Sequence, residues 1–167
     1  MKSLALILGA AALLASCGGS GVTLPGNCSI TLTGSVTATV TGCNAAATYD
    51  PSKTQGNLAV GITSGTPPAP IKTLALLFTF NTDIATGSFT FTSPTVTGVN
   101  LAEVNTDNTT YVATKTGTIG AGSLTVSNTN YVGTDTSGVK AYLPHGTLDG
   151  TLPQSGGAGS ITVHATF

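Results

Sequence analysis

Apolar and polar residues alternate along much of this chain, and most of the polar positions are threonine or serine. The alternation is clearest in residues 29–33, 36–41, 88–92 and 160–163. Because successive side chains of a β-strand point to opposite faces, this pattern predicts strands with one buried and one solvated face. Turn-forming residues break the pattern at short intervals. The fold class predicted is all-β, a single antiparallel β-sandwich domain of roughly eight to ten strands over residues 27–167.

The candidate strands follow from the alternation and from the turn residues between them. They cover residues 28–34, 35–42, 57–63, 71–80, 87–93, 96–104, 111–116, 123–128, 139–143, 146–152 and 160–167. The segment 71–80 is the most apolar, so we expect a central strand that is covered on both faces. The proline-rich segment 66–70 before it cannot belong to a sheet interior.

The last two candidate strands predict a closing hairpin whose loop is 153–159. If Leu152 lies opposite Ile161, the apolar residues of both strands share one face. On the other face, the same register places His164 opposite Asp149, where the two side chains are expected to form a hydrogen-bonded surface pair.

The N-terminus has the layout of an export signal. Lys2 precedes an apolar run over residues 4–14, which is too short for a permanent membrane span. Leu14-Ala15-Ser16-Cys17 then resembles the lipobox of bacterial lipoproteins. This resemblance implies cleavage of the signal peptide 1–16, acylation of Cys17, and a flexible tether over 17–26 that holds the domain to a membrane. The alternative is a secretory signal that is cut elsewhere.

The residue after the lipidated cysteine influences whether a lipoprotein stays in the inner membrane or moves to the outer membrane. In the lipoproteins that this motif resembles, aspartate there favours retention in the inner membrane, and this chain has Gly18. The resemblance therefore implies a location in the bacterial cell envelope, at the outer membrane. The segment 145–167 also resembles the ends of small bacterial lipoproteins of unknown function, and this resemblance implies no activity.

Assigning Cys17 to the lipid leaves Cys28 and Cys43 of the 3 cysteines, and these two can form a disulfide in an oxidising compartment. The positions of Cys28 and Cys43 along the two predicted strands are an obstacle to this disulfide. In a plain hairpin with its apolar faces together, the two sulfur atoms point to opposite sides. A bulge at Gly42 or Gly34 would correct this, since a bulge adds one residue to one strand. The other possibility is that the two cysteines lie on non-adjacent segments.

The composition excludes some partners. Charged residues make up 7% of the chain, arginine is absent, and the formal net charge is −1. Such a chain cannot form the basic surface that nucleic acid requires, and it has no polybasic membrane patch. Threonine replaces the lysine and glutamate that usually face solvent.

The chemically reactive residues are few. No spacing of Cys or His suits zinc, so we expect no metal, no cofactor and no catalytic residues. The predicted function is that of a non-enzymatic outer-membrane lipoprotein with a structural or interaction role, and an envelope protein or a glycan would be its partner. A hydrolase would require a serine or threonine within hydrogen-bond reach of His164 and Asp149.

The alternative function is a binding module for a glycan or a small apolar ligand at the cell surface. Its candidate ligand contacts are Tyr111, Tyr131 and Tyr142, because sugar-binding surfaces present flat aromatic side chains and the chain has no tryptophan. Two or three tyrosines exposed on one face would favour this alternative. Tyrosines that are buried one by one would instead belong to the core.

Overall fold

The computed structural model describes residues 28–62, 68–91, 96–106, 109–113 and 121–167. The signal peptide 1–16, Cys17 and the tether 17–26 lie outside these residues. The described residues form ten strands and no helix: β1 (Cys28–Gly34), β2 (Ala38–Asp50), β3 (Gln55–Gly61), β4 (Ile71–Phe80), β5 (Gly87–Thr90), β6 (Val96–Thr106), β7 (Thr110–Ala113), β8 (Gly122–Thr134), β9 (Lys140–Pro153) and β10 (Ser160–Thr166).

The ten strands form one continuous antiparallel sheet in the order β5-β8-β9-β10-β1-β2-β3-β4-β6-β7. The sheet folds over on itself. The end of β2 pairs directly with the start of β9, through Ala47 opposite Tyr142. Tyr111 of β7 forms a bridge with Gln154, just after β9. These cross-connections enclose a single core, and the predicted β-sandwich domain is confirmed.

The closing hairpin has the predicted register. Leu152 lies opposite Ile161, and Leu148 lies opposite Ala165. Their common face is buried, with exposures of 0–1% for Leu148, Leu152, Ile161, Val163 and Ala165. At roughly 1.5–3 kcal/mol for each large apolar side chain removed from water, this face is a main source of stability.

The two cysteines form a disulfide across β1 and β2, with their Cα atoms 5.1 Å apart. Cys28 pairs with Cys43 but Ser29 pairs with Thr41, so Gly42 is an extra residue in the ladder. Gly42 has φ +78°, a conformation that glycine adopts without strain. The sequence left open a bulge at Gly42, a bulge at Gly34 or cysteines on non-adjacent segments. The structure has the bulge at Gly42, and this bulge brings both sulfur atoms to the core side.

Hydroxyl side chains form the outer face of one half of the sheet, as the alternation predicted. The register aligns one row of them across six strands, namely Ser88, Thr125, Thr147, Thr166, Ser29 and Thr41. These residues are exposed or half-buried. Hydroxyl groups therefore solvate this face where most proteins use charges.

Three expectations about strands were wrong. The segments 139–143 and 146–152 form one strand, β9, because Pro144 is accommodated within it opposite Thr129. Strand β2 is shifted and longer than the predicted 35–42, since it exchanges β1 for β3 as its partner after the bulge. Strand β4 is eighth of the ten strands and is paired with β3 and β6, so it is interior but not central. Lys72 and Thr73 are exposed and Leu77 is half-buried, so its second face is not fully covered.

Candidate ligand-binding surface

The large apolar side chains that are exposed among the described residues lie on the hairpin of β8 and β9. Its two strands pair as far as Thr134 and Lys140. The turn beyond them is fixed by Asp135, whose Oδ1 accepts hydrogen bonds from the backbone N–H groups of Ser137 at 2.8 Å and Val139 at 2.9 Å. An aspartate that bonds to its own turn in this way stabilises the turn without a ligand. The hairpin is therefore a firm support for the side chains near its tip.

Tyr131 and Val132 are the large apolar residues that this hairpin exposes, at 59% and 57%. The register shifts between Tyr131 and Gly133, so Val132 is an extra residue in β8. A bulge redirects side chains relative to the regular ladder. At this bulge two neighbouring apolar side chains are exposed to solvent.

Tyr142 of β9 holds the Tyr131 ring from the side. The two residues are register partners, and their rings meet edge to face with centroids 5.9 Å apart and planes at 65°. Such tilted pairs contribute about 0.5–1.5 kcal/mol beyond their buried area. The Tyr131 hydroxyl lies 2.6 Å from the Thr134 hydroxyl oxygen. The exposed Tyr131 ring is thus held by its contact with the Tyr142 ring and by the hydrogen bond between its hydroxyl and that of Thr134.

Asp83, from the connection between β4 and β5, joins this hairpin from across the fold. Its Oδ2 accepts hydrogen bonds from the Tyr142 hydroxyl and the Lys140 ammonium, each at 3.0 Å. Its Oδ1 accepts the backbone N–H of Ile84 at 2.8 Å. The carboxylate therefore anchors two side chains of β9 at once.

Tyr49 of β2 completes the group, with the Lys140 ammonium 5.4 Å from its ring centroid. An ammonium at this distance from a tyrosine ring is attracted by the electron-rich face of that ring. We call Tyr49, Asp83, Tyr131, Val132, Lys140 and Tyr142 together the tyrosine cluster. It combines aromatic faces with one positive and one negative group.

The surroundings of Tyr142 and Lys140 favour the protonated form of both side chains. Partial burial is the first cause that raises the pKa of the Tyr142 hydroxyl, and its hydrogen bond to Asp83 adds to this effect. The hydrogen bond to Asp83 raises the pKa of the Lys140 ammonium. At neutral pH the cluster therefore holds a neutral Tyr142 and a paired cation.

The structure brings together two of the three tyrosines that the sequence singled out and separates the third. Tyr131 and Tyr142 are in contact, but Tyr111 is 4% exposed and belongs to the core. Tyr111 is therefore not part of the exposed surface, and its contact with a ligand stays a prediction. Tyr49 takes the third place in the cluster.

Sequence reasoning missed Tyr49, Asp83, Val132 and Lys140 as site residues. A local signal existed for the pairing of Tyr131 with Tyr142, since both flank the turn-forming segment 135–138 at similar distances. No local signal existed for Asp83, which is 57 residues away from Lys140 along the chain. Such a contact depends on the packing of distant strands.

His164 and Asp149 form the predicted surface pair, with Nδ1 of His164 2.6 Å from Oδ1 of Asp149. Both side chains are more than half exposed on the outer face of the sheet. Thr31 is the cross-strand partner of His164, and Ser123 is that of Asp149. Among the described residues, no three His, Cys, Asp or Glu side chains form a group that could hold a metal ion.

The described part of the chain contains no helix with the length and apolar character needed to cross a membrane. The chain matches no protein-family model, no curated protein and no solved structure. The functional proposal for this chain therefore rests on its residues and their geometry.

Proposed function

We propose that this protein is a non-enzymatic, lipid-anchored interaction protein of the bacterial cell envelope. Its β-sandwich domain is tethered through acylated Cys17 to the outer membrane, and it acts by contact with an envelope protein or a glycan. The Leu14-Ala15-Ser16-Cys17 motif and the glycine-rich segment after it support the anchor. A flexible tether of this composition leaves the domain free to reach a partner.

The pairing of the cysteines is the observation that carries the proposal. The chain has 3 cysteines, and Cys28 and Cys43 are joined to each other. Cys17 is the cysteine that remains, and it ends the lipobox. An exported protein seldom keeps an unpaired thiol without a role. Acylation gives Cys17 that role.

The anchor is tested by growing the bacteria with radioactive palmitate and isolating the full-length protein. We expect label in the wild type and none in Cys17→Ser, which should also keep residues 1–16. The double variant Cys28→Ser/Cys43→Ser is the matched control, because it removes two cysteines but retains the motif and should be labelled. Label on Cys17→Ser, or a wild type that is cut at another residue and carries no label, would refute the anchor.

The proposed location in the outer membrane is tested by separating inner and outer membranes on a density gradient. The wild type should sediment with the outer membrane. Gly18→Asp should shift the protein to the inner membrane, while Gly18→Ala should leave it in place. A wild type found in the inner membrane would contradict this part of the proposal.

A binding module is the second candidate function, and the tyrosine cluster is the observation that favours it. Small apolar ligands are usually bound in concave sites that bury 70–90% or more of the ligand surface. The cluster instead presents Tyr131 at 59% exposure. This geometry favours a glycan over a small apolar ligand. Titration with an apolar fluorescent dye separates the two, since a glycan-binding surface should leave the emission of the dye unchanged.

A further inference from the structure

We propose that the tyrosine cluster binds neutral carbohydrate, with the Tyr131 ring and Val132 as the stacking surface for a sugar ring. The inference rests on the proposed function, since it names the chemistry of the partner that the anchored domain contacts. Tyr131 and Val132 are the large apolar residues that the described part of the chain leaves exposed. One face of a pyranose ring carries mainly C–H groups and complements such a flat apolar surface.

The stacking surface is organised before any ligand arrives. Contacts with Tyr142 and Thr134 fix the Tyr131 ring, and Asp83 in turn fixes Tyr142. Ordering a flexible side chain on binding costs about 0.5–1.5 kcal/mol, so a ring that is already held avoids much of this cost. Tyrosine also offers a large contact area with few rotatable bonds.

The polar groups beside the rings indicate a neutral ligand. Lys140 and Asp83 pair with each other at 3.0 Å, so their charges compensate. A charged ligand would gain attraction from one of the two groups and repulsion from the other. Sugar hydroxyls both donate and accept hydrogen bonds, and they can therefore interact with the ammonium and the carboxylate together.

The number of strands in the cluster favours a chain over a single sugar. Tyr131 is on β8, Tyr142 on β9 and Tyr49 on β2, and these three strands are neighbours through the pairing of β9 with both of the others. Neighbouring strands lie about 4.7–4.9 Å apart, so three strands span roughly 10 Å. That width accommodates about two consecutive sugar rings, and we therefore expect oligosaccharides to bind more tightly than monosaccharides.

The test uses the full-length protein in a detergent without a sugar headgroup. Calorimetry measures binding of three neutral hexasaccharides, built from β-1,4-glucose, β-1,4-mannose and β-1,4-N-acetylglucosamine, and of an anionic hexagalacturonate. We expect at least one neutral hexasaccharide to bind, and to bind more tightly than its monosaccharide. Binding of none of the three neutral probes, or tighter binding of hexagalacturonate, would overturn the proposal.

Variants then assign the site. Tyr131→Ala should weaken binding by about tenfold or more, because it removes the central aromatic anchor. Tyr131→Phe should stay within about threefold, since stacking requires the ring and not the hydroxyl. Thr162→Ala, on the hydroxyl outer face, is the matched control. Unchanged binding by Tyr131→Ala would refute the site, and each variant is first shown to be fully folded at the temperature of the binding measurement.

Failure of this inference is distinguishable from failure of the anchor. Palmitate labelling of the same preparation reports on Cys17 and does not depend on the tyrosine cluster. A labelled protein that binds no neutral hexasaccharide would retain the anchor and lose the carbohydrate site. An unlabelled protein that binds through Tyr131 would retain the site and lose the anchor.

Discussion

The two halves of β9 lie in the same sheet but in different surroundings. In the second half Leu148 and Leu152 are 1% exposed, and they alternate with exposed Thr147, Asp149 and Thr151. In the first half, residues 140–143 are all half-buried and the alternation disappears. A regular ladder decides only which face a side chain occupies. The layer that covers that face decides whether the side chain is buried.

The two halves therefore depend on different interactions. The second half is stabilised by apolar burial between layers, which is non-directional and large. The first half is held by hydrogen bonds and charges around Asp83, which contribute less in partly exposed places. The half that contributes less to stability carries the candidate ligand-binding surface.

Truncation in the second half of β9 should have the largest effect. Leu152→Ala should lower the free energy of unfolding by about 2–5 kcal/mol, because it leaves a cavity in a core that is already closed. Thr151→Ala is the matched control on the other face and should stay within about 0.5 kcal/mol. Urea denaturation measures both. Equal effects of Leu152→Ala and Thr151→Ala would show that the buried face of this half contributes no more to stability than its exposed face.

Removal of the disulfide should come next. The bond closes a loop with a sequence separation of 15. Cys28→Ala/Cys43→Ala should therefore cost about 3 kcal/mol, mainly through the greater freedom of the unfolded chain. The double variant avoids an unpaired thiol. Denaturation of the wild type with and without reductant provides an independent check, and the reduced wild type should lose a similar amount.

Loss of one hydroxyl in the first half of β9 should have a smaller effect. Tyr142→Phe removes the hydrogen bond to Asp83 and should cost about 1 kcal/mol. The more exposed Tyr131→Phe should cost less. A cost for Tyr142→Phe as large as that for Leu152→Ala would contradict the contrast between the two halves.

The first half of β9 should also contribute to the loss of stability at high pH. Folding raises the pKa of Lys140 from 10.5, mainly through its hydrogen bond to Asp83, and it raises the pKa of Tyr142 from 10.0. For both groups the protonated form is favoured in the folded state. Their contribution is therefore present at neutral pH and is lost as the pH rises through the folded pKa values. Tyr142→Phe should reduce this alkaline loss, which unfolding midpoints across the pH range would measure.

The smallest expected effect is at the end of β2, beside the first half of β9. Asp50 accepts hydrogen bonds from Lys53 and Ser52, and these bonds, that of Lys53 first, lower the pKa of the carboxyl from 3.8 to about 2. Asp50 therefore stabilises the fold above its unfolded pKa and loses that contribution as the pH falls towards 2. Asp50→Asn should be slightly less stable than the wild type at neutral pH and equal to it at the acid limit. A constant difference at every pH would refute the ionic origin.

Sequence alone predicted the features that depend on neighbours in the chain. The period of two placed Leu148, Leu152 and Ile161 on one face, and it opposed His164 to Asp149. For Cys28 and Cys43 on paired strands, their parity predicted a bulge at Gly42 or Gly34, and the structure has it at Gly42. These conclusions needed only the geometry of a strand and a hairpin, which is local.

The tertiary structure decided which distant residues meet. It buried Tyr111, brought Tyr49 to Lys140, and placed Asp83 against Tyr142. The alternation of side chains along a strand contains no information about the order of strands in a sheet or about the layer that covers a face. Those depend on how the whole core packs, so the alternation of faces along a strand was predictable from the sequence, and the composition of the tyrosine cluster was not.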